Sequence, residues 1–61
     1  MQKTLYQLRK ENRYPARYLA ERLGVSRQQY YNIEQGKAVI YPEIKAELAK
    51  VYGLFVADIK F

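Results

Sequence analysis

The sequence predicts a small all-α fold, and three observations lead to this prediction. Apolar residues recur at helical spacing in four successive segments of the chain. Glycine or proline stands where most of these segments begin or end. The chain has 61 residues and shows no internal repeat, low-complexity tract or linker, a length that suits one domain. We therefore expect residues 1–61 to form a single bundle of short helices.

The first two helices are predicted from two leucines and a proline. Leu5 and Leu8 mark an apolar stripe over residues 3–12. Tyr14-Pro15 ends this stripe, because the residue before a proline disfavours helical conformation, and the proline itself suits the start of the next helix. That second helix is predicted over residues 16–23. Its narrow apolar face holds Leu19, Ala20 and Leu23.

The third helix is predicted to follow a tight turn, giving a helix–turn–helix over about residues 16–36. Gly24 fits the left-handed residue that ends many helices. Ser26 is a good N-cap, and its spacing from Gln29 is that of a capping box. Gly36 ends the third helix in the same way as Gly24 ends the second. The inward-facing residues are Val25, Tyr30 and Ile33.

A fourth helix begins near Pro42 and ends at Gly53. Its apolar face holds Ile44, Leu48, Val51 and Tyr52. The tail, residues 54–61, forms either one or two short helical turns or a strand. Its apolar side chains either complete the core or join two subunits. The candidates for such a dimer interface are Phe55, Val56, Ile59 and Phe61.

Composition argues against several classes of function. The chain has neither cysteine nor histidine, so disulfides, thiolate metal sites, the usual zinc ligands and the usual general base are missing. We expect no metal, no cofactor, no small-molecule ligand and no catalytic residue, which argues against an enzyme. No apolar run is long enough to cross a membrane and no signal peptide is visible. The sequence therefore favours a cytoplasmic protein.

The net charge of +5 is unevenly distributed along the chain. Residues 1–37 contain eight lysines and arginines against three glutamates, whereas residues 38–61 contain three residues of each sign. The positive excess therefore lies in the half that contains the predicted helix–turn–helix. A polyanion such as nucleic acid is the natural partner of such a surface. The alternative is a basic surface that serves only solubility.

The outward face of the third helix carries side chains suited to reading base edges in the DNA major groove. Arg27, in the first turn, matches guanine O6 and N7, although it could bind a phosphate instead. Gln28 suits adenine N6 and N7, and Asn32 lies one turn further on, where an otherwise poor helix former indicates a contact. The Gln29 side chain either completes the cap with Ser26 or contacts a base. Tyr31 suits a thymine methyl or a phosphate.

A second group of side chains flanks this helix. These are hydrogen-bond donors or cations of the kind that bind phosphates, which sets the docking orientation without reading sequence. The members of this group are Arg13, Arg17, Tyr18, Ser26, Gln35 and Lys37. Tyrosines among basic residues can also stack on single-stranded bases. We favour core or interface positions for Tyr6, Tyr14, Tyr30 and Tyr52, which fall on apolar phases of the helices.

Two runs of the sequence point to a known family. They are Leu19-Ala20-Glu21-Arg22-Leu23-Gly24-Val25-Ser26-Arg27 and Ile33-Glu34-Gln35-Gly36-Lys37. With these runs the chain resembles, over residues 5–59, the Cro/CI-type (XRE-like) helix–turn–helix domains of phage repressors and small bacterial regulators. The resemblance implies a lambda-repressor-like bundle of about five short helices, with the third in the major groove. It also implies that Arg9 and Glu34 pair and hold the first helix to the third.

The chain departs from the family pattern at three positions. Ala16 stands where many members carry a glutamine that binds a phosphate, so that contact is either lost or moved to Arg17 or Tyr18. Tyr30 stands where isoleucine or leucine is usual, so a phenol must be buried there. Phe55 stands where a polar cap often precedes the last helix.

Together these features predict a homodimeric, sequence-specific regulator that binds double-stranded DNA. A repressor is favoured, but the sequence does not decide between blocking and recruiting polymerase. Dimerisation through the tail would place two recognition helices one DNA turn apart on a palindromic operator. Two alternatives remain at this point. The same fold can serve as a protein-interaction module, such as an antitoxin or anti-repressor, or it can bind DNA without sequence preference.

Overall fold

A computed structural model describes residues 2–61, and the all-α fold predicted from the sequence is confirmed. Within these residues there are four α-helices, a single 3₁₀ turn and two strands of two residues each. The helices are α1 (Leu5–Asn12), α2 (Ala16–Leu23), α3 (Arg27–Glu34) and α4 (Pro42–Tyr52). The strands are β1 (Lys3–Thr4) and β2 (Ile59–Lys60), and the 3₁₀ turn spans Val56–Asp58.

α1 is shorter than predicted at its start and ends for a different reason. The Thr4 hydroxyl accepts a hydrogen bond from the Gln7 backbone N–H at 3.1 Å, and the Gln7 side chain accepts one from the Thr4 backbone N–H at 2.9 Å. This capping box starts the helix at Leu5, because the cap residue itself is extended. The helix ends where Arg13 takes a left-handed conformation with φ of 57°, before the proline is reached.

The turn between α2 and α3 forms as the sequence predicts. Gly24 has φ of 71°, and its N–H donates to the carbonyls of the last turn of α2. The Ser26 hydroxyl accepts from the Gln29 N–H at 3.1 Å, and the Gln29 side chain accepts from the Ser26 N–H at 2.9 Å. Gly36 is also left-handed, with φ of 76°. Both ends of α3 are therefore fixed by local sequence.

The tail does not form a fifth α-helix. Helical geometry is confined to Val56–Asp58, and the Asp58 carboxylate accepts a hydrogen bond from the Phe55 N–H at 3.1 Å. The acid at the end of this turn therefore caps it, since Phe55 has no polar side chain. The chain then extends into β2, because Ile59 is only 2 % exposed and belongs to the core.

The four helices enclose one core of apolar side chains. Its largest fully buried members are Leu19 of α2, Tyr30 of α3 and Leu48 of α4. α2 packs against both α3 and α4. Around this centre the other buried apolar residues are Leu5, Leu8, Ala16, Ala20, Ile33, Ala49 and Ile59.

The two strands bring the two ends of the described chain together. They pair in parallel, with Lys3 opposite Ile59 and Thr4 opposite Lys60. The Gln2 side chain also donates to the Ala57 carbonyl at 2.9 Å. Residues separated by more than fifty positions are therefore adjacent, and Ile59 of β2 is buried in the core.

Candidate nucleic-acid interface

The inner face of α3 is held firmly against the rest of the molecule. Tyr30 is completely buried and Ile33 nearly so. They lie three residues apart, so they project from the same side of the helix. The side chains on the opposite side of α3 are consequently fixed in direction by the packing behind them.

An ion pair between α1 and α3 fixes the helix further. Arg9 Nε donates to one oxygen of the Glu34 carboxylate at 2.8 Å, and Arg9 Nη2 donates to the other at 3.1 Å. The two side chains are only 10 % and 6 % exposed. This is the pair that the resemblance to the Cro/CI-type domains implies. Two parallel bonds from a planar guanidinium restrict both distance and orientation, so α3 cannot slide along α1 without breaking them.

The electrostatics of this pair favour its charged form. Burial of the Glu34 carboxyl raises its pKa, but the Arg9 hydrogen bond and the positive charges of Arg9 and Lys10 outweigh burial, so its pKa lies below the ordinary value. The hydrogen bond to Glu34 raises the pKa of Arg9. Both groups therefore remain ionised at neutral pH.

Two tyrosine rings flank the Arg9 guanidinium. Its central carbon lies 5.6 Å from the centroid of the Tyr6 ring and 6.0 Å from that of Tyr31, within the range of a cation–π interaction. Tyr6 is 53 % exposed, so of the core or interface position favoured for it from the sequence, the core position is wrong. Its ring covers Arg9 and Lys10 at the surface instead of packing inward.

Two other phenols are buried without a hydrogen-bond partner among the described residues. These are the hydroxyls of Tyr30 and Tyr52. Burial raises the pKa of Tyr30, and the Glu34 carboxylate raises it further. Burial likewise raises the pKa of Tyr52 to about 12. The phenol at position 30 is accommodated in the core with its hydroxyl protonated.

The outward face of α3 carries Arg27, Gln28 and Asn32. Arg27 is exposed in the first turn and makes no hydrogen bond or ion pair with the rest of residues 2–61. Gln28 is exposed, and its Nε2 donates to Asn32 Oδ1 at 3.2 Å. Asn32 itself is only partly exposed. This face therefore presents an unpaired guanidinium beside a linked pair of amides.

The remaining predicted base-contacting residues are engaged within the protein. The Gln29 carbonyl belongs to the capping box, so only its amino group is free to donate outward. Ser26, which was predicted to bind a phosphate, uses its hydroxyl in the same box. Tyr31 is exposed at the surface but leans toward α1, beside Arg9. The Gln29 amide and the Tyr31 phenol therefore already make contacts that help to hold α3 in place.

The predicted phosphate-binding side chains lie at the ends of the helices around α3. Arg13 follows α1, and Arg17 lies in the first turn of α2; both are exposed. Gln35 and Lys37 follow the last turn of α3 and are also exposed. Tyr18 is partly buried, and its hydroxyl accepts from Arg22 Nη1 at 3.1 Å.

The sequence interpretation missed a surface beside α3. Val39 and Tyr41, in the segment between α3 and α4, are 73 % and 60 % exposed. They border an open recess of about 390 Å³. The other residues lining it are Val25, Gln29, Asn32, Ile33, Ala38 and Ile44. The signal for it was the run of apolar residues 38–41, outside any helix.

Three of the four predicted interface residues of the tail are exposed. They are Phe55, at 81 %, with Val56 and Phe61 less so. Ile59 does not belong to this surface, because its pairing in β2 turns it into the core. Ile59 therefore completes the core, whereas the other three side chains remain at the surface of the chain.

Among residues 2–61, no helix combines the length and apolar character needed to cross a membrane. Residues 5–54 match a family model described as Helix-turn-helix. No curated protein and no solved structure matches the chain. The family match covers α1 to α4 and most of the sequence. This chain therefore belongs to the helix–turn–helix family, as a DNA-binding transcription regulator of the Cro/CI (XRE) type.

Proposed function

We propose that this chain is a sequence-specific repressor that binds a palindromic operator as a homodimer. Its third helix, α3, lies in the major groove, where Arg27, Gln28 and Asn32 carry the base preference. Exposed cations and amides at the neighbouring helix ends bind the phosphates on either side. Occupation of the operator then blocks transcription.

The observation that carries this proposal is the contrast between the two sides of α3. The inner side is fixed by Tyr30, by Ile33 and by the buried pair of Glu34 with Arg9. The outer side leaves Arg27 without an internal partner among residues 2–61. A rigid helix with free hydrogen-bonding groups suits the recognition of base edges, since its backbone needs little ordering on binding.

The distribution of charge supports the same orientation. Arg13 and Arg17, at the end of α1 and the start of α2, and Lys37, just after α3, are exposed, and the net positive charge lies within residues 1–37. The three lysines outside that half are balanced by three acids. DNA approaching the α3 side therefore meets positive charge.

The homodimer is proposed from the exposed part of the tail. Phe55, Val56 and Phe61 place large apolar side chains at the surface. Residues of this kind in a small domain are commonly covered by a partner. A two-fold symmetric pair would present two copies of α3 to half-sites about 34–36 Å apart.

The experiment is selection of bound sequences from randomised duplex DNA at near-physiological salt. We expect a pseudo-palindrome with fixed half-site spacing. Binding without enrichment would contradict sequence-specific recognition and favour an architectural role. Absence of binding would contradict a DNA partner and favour a protein-interaction role.

The selected site then allows a direct test of Arg27. Arg27→Ala should weaken binding by about 1–3 kcal/mol and relax the preference at one base pair of each half-site. The matched control is Lys50→Ala, which removes an exposed cation from α4 in the neutral half, and it should leave the preference unchanged. Equal weakening on every sequence by Arg27→Ala would assign that residue to a phosphate.

A further inference from the structure

The two amides on the outer face of α3 are joined to each other. Gln28 Nε2 donates to Asn32 Oδ1 at 3.2 Å, across one helical turn. Gln28 is exposed, whereas Asn32 is partly buried. Residues four apart on a helix lie one above the other, so this bond runs along the face of α3 that looks outward.

The surroundings of Asn32 distinguish it from Gln28. Its side chain helps to line the recess between α3 and the segment that carries Val39 and Tyr41. It is also the shorter of the two amides. Asn32 therefore stands at the edge of the outward face, toward the recess, and Gln28 stands further out.

We propose that Asn32 is a positioning residue for Gln28 and that the pair reads one A·T base pair as a single unit. This inference rests on the proposed function. With one N–H of Gln28 bound to Asn32, the other N–H and the carbonyl oxygen remain free. Those two groups are what a glutamine uses on adenine: the carbonyl accepts from N6 and the N–H donates to N7.

The physical advantage is preorganisation. A free glutamine has three rotatable bonds in its side chain, and binding must restrict them all. A bond to Asn32 selects, before DNA arrives, an orientation of the terminal amide. It also selects which end of the amide points outward, and so favours adenine, which offers both a donor and an acceptor, over guanine, which offers two acceptors.

The first test uses the free protein and reads the mobility of side-chain amides by ¹⁵N relaxation. The Gln28 amide should be more ordered than that of Gln35, which is exposed at the end of α3. Asn32→Ala should release it, whereas Asn32→Asp, which keeps the acceptor oxygen, should not. The control Lys50→Ala should leave it unchanged. A Gln28 amide as mobile as that of Gln35 in the unaltered protein would overturn the proposal without reference to DNA.

The second test uses base preference. Asn32→Ala should reduce the preference for A·T on the order of 3- to 10-fold at the same base pair that Gln28→Ala affects, and the double variant should lose no more than Gln28→Ala alone. Asn32→Asp should keep the preference while weakening binding to all sequences, since it adds a negative charge near phosphates.

Separate base pairs for the two single variants, with additive losses in the double variant, would overturn the proposal and leave the proposed function intact. An unaltered protein that shows no sequence preference would overturn both. Each variant is expected to fold, because position 32 is outward and alanine is a better helix former than asparagine.

Discussion

α1 and α3 begin in the same way but turn their first residues to different surroundings. Each has eight residues, and each starts with a hydroxyl and a glutamine that cap one another. The first residue after the cap is Leu5 in α1, which is buried, and Arg27 in α3, which is exposed. The same capping box therefore starts both helices, but the residue that follows it packs in the core in α1 and lies at the surface in α3.

The polar side chains of the two helices differ in whether they have a partner within the protein. On the α1 side, Lys3 pairs with Glu11 at 2.8 Å, and Tyr6 lies against Lys10. On α3 the outward guanidinium of Arg27 has no partner within residues 2–61. Helix formation depends on the cap residues, whereas the proposed base contacts lie at other positions of the same short pattern, so the two can be tested separately.

Breaking the link between the two helices has the largest expected effect. Arg9→Ala leaves the Glu34 carboxylate nearly buried with no cation beside it. The free energy of unfolding should fall by about 3–5 kcal/mol, because an unpaired buried charge keeps its desolvation penalty. Urea denaturation followed by circular dichroism measures this. The control is Lys3→Ala, which breaks an exposed pair and should change stability by less than about 1 kcal/mol. Similar losses in both would contradict a special role for the buried pair.

The same link predicts how acid acts on the protein. The pKa of Glu34 lies below its ordinary value of 4.5, so the unfolded chain takes up a proton there before the folded chain does. The stabilisation is therefore complete above pH 4.5 and is lost as the pH falls through the pKa of the folded state. The urea midpoint, measured between neutral and acid pH, should show this loss of stability. Glu34→Gln should remove the part of the loss that comes from protonation of Glu34. Glu47→Gln, at the surface pair with Arg22, should retain it; loss of the acid dependence in that variant would contradict the assignment.

Removing the cap hydroxyls of α1 and α3 is expected to have an intermediate effect and sharpens the comparison of the two helices. Thr4→Ala and Ser26→Ala should each lower the free energy of unfolding by about 1 kcal/mol, since each leaves an N–H of the first turn without its acceptor. Only Ser26→Ala should also weaken DNA binding, because its cap orients α3. Thermal unfolding and binding to the selected site measure the two effects. A comparable loss of DNA affinity in Thr4→Ala would argue that α1 contacts DNA as well.

The smallest effect is expected for a substitution at the fourth residue after the helix cap. Leu8 and Tyr30 occupy this position and are both buried. Tyr30→Phe removes a hydroxyl that has no partner among the described residues, so stability at neutral pH should stay equal or rise by up to about 1 kcal/mol. A loss of more than that would show that the hydroxyl is hydrogen-bonded.

The same variant should alter behaviour at alkaline pH. Burial raises the pKa of Tyr30 above its ordinary value of 10.0, so the unfolded chain loses this proton first. Stability should therefore fall as the pH rises above 10, and Tyr30→Phe should reduce the fall without abolishing it. The remainder belongs to Tyr52, whose pKa is about 12.

Much of the fold could be predicted because its signals are local. Gly24, Ser26 and Gly53 act on the residues beside them, and each stands where the sequence places a helix boundary. The pairing of β1 with β2 could not be predicted, since strands of two residues carry no periodicity and the partners lie at opposite ends of the sequence. For the same reason the sequence pattern leaves Ile59 open between the core and a dimer interface, and the structure places it in the core.

The candidate site was predictable in its residues but not in their contacts. Helical phase places Arg27 and Gln28 outward, and the structure has them exposed. The bond between Gln28 and Asn32 depends on side-chain conformation, which sequence spacing does not determine. Tyr6 shows the converse: its phase suggested a core or interface position, and its ring lies at the surface, 5.6 Å from the central carbon of the Arg9 guanidinium. The pair of Arg9 with Glu34 came from the family resemblance, since twenty-five positions separate the two residues.

The parallel pairing of β1 and β2 has a mechanical consequence. A force that pulls the two ends of the described chain apart acts on the strands in opposite directions along their length, because Lys3 lies opposite Ile59 and Thr4 opposite Lys60. The hydrogen bonds between them are loaded in shear and must fail together, instead of opening one after another. Stretching of single molecules should therefore show this small clamp yielding first, with the helices bearing no tension until it has ruptured.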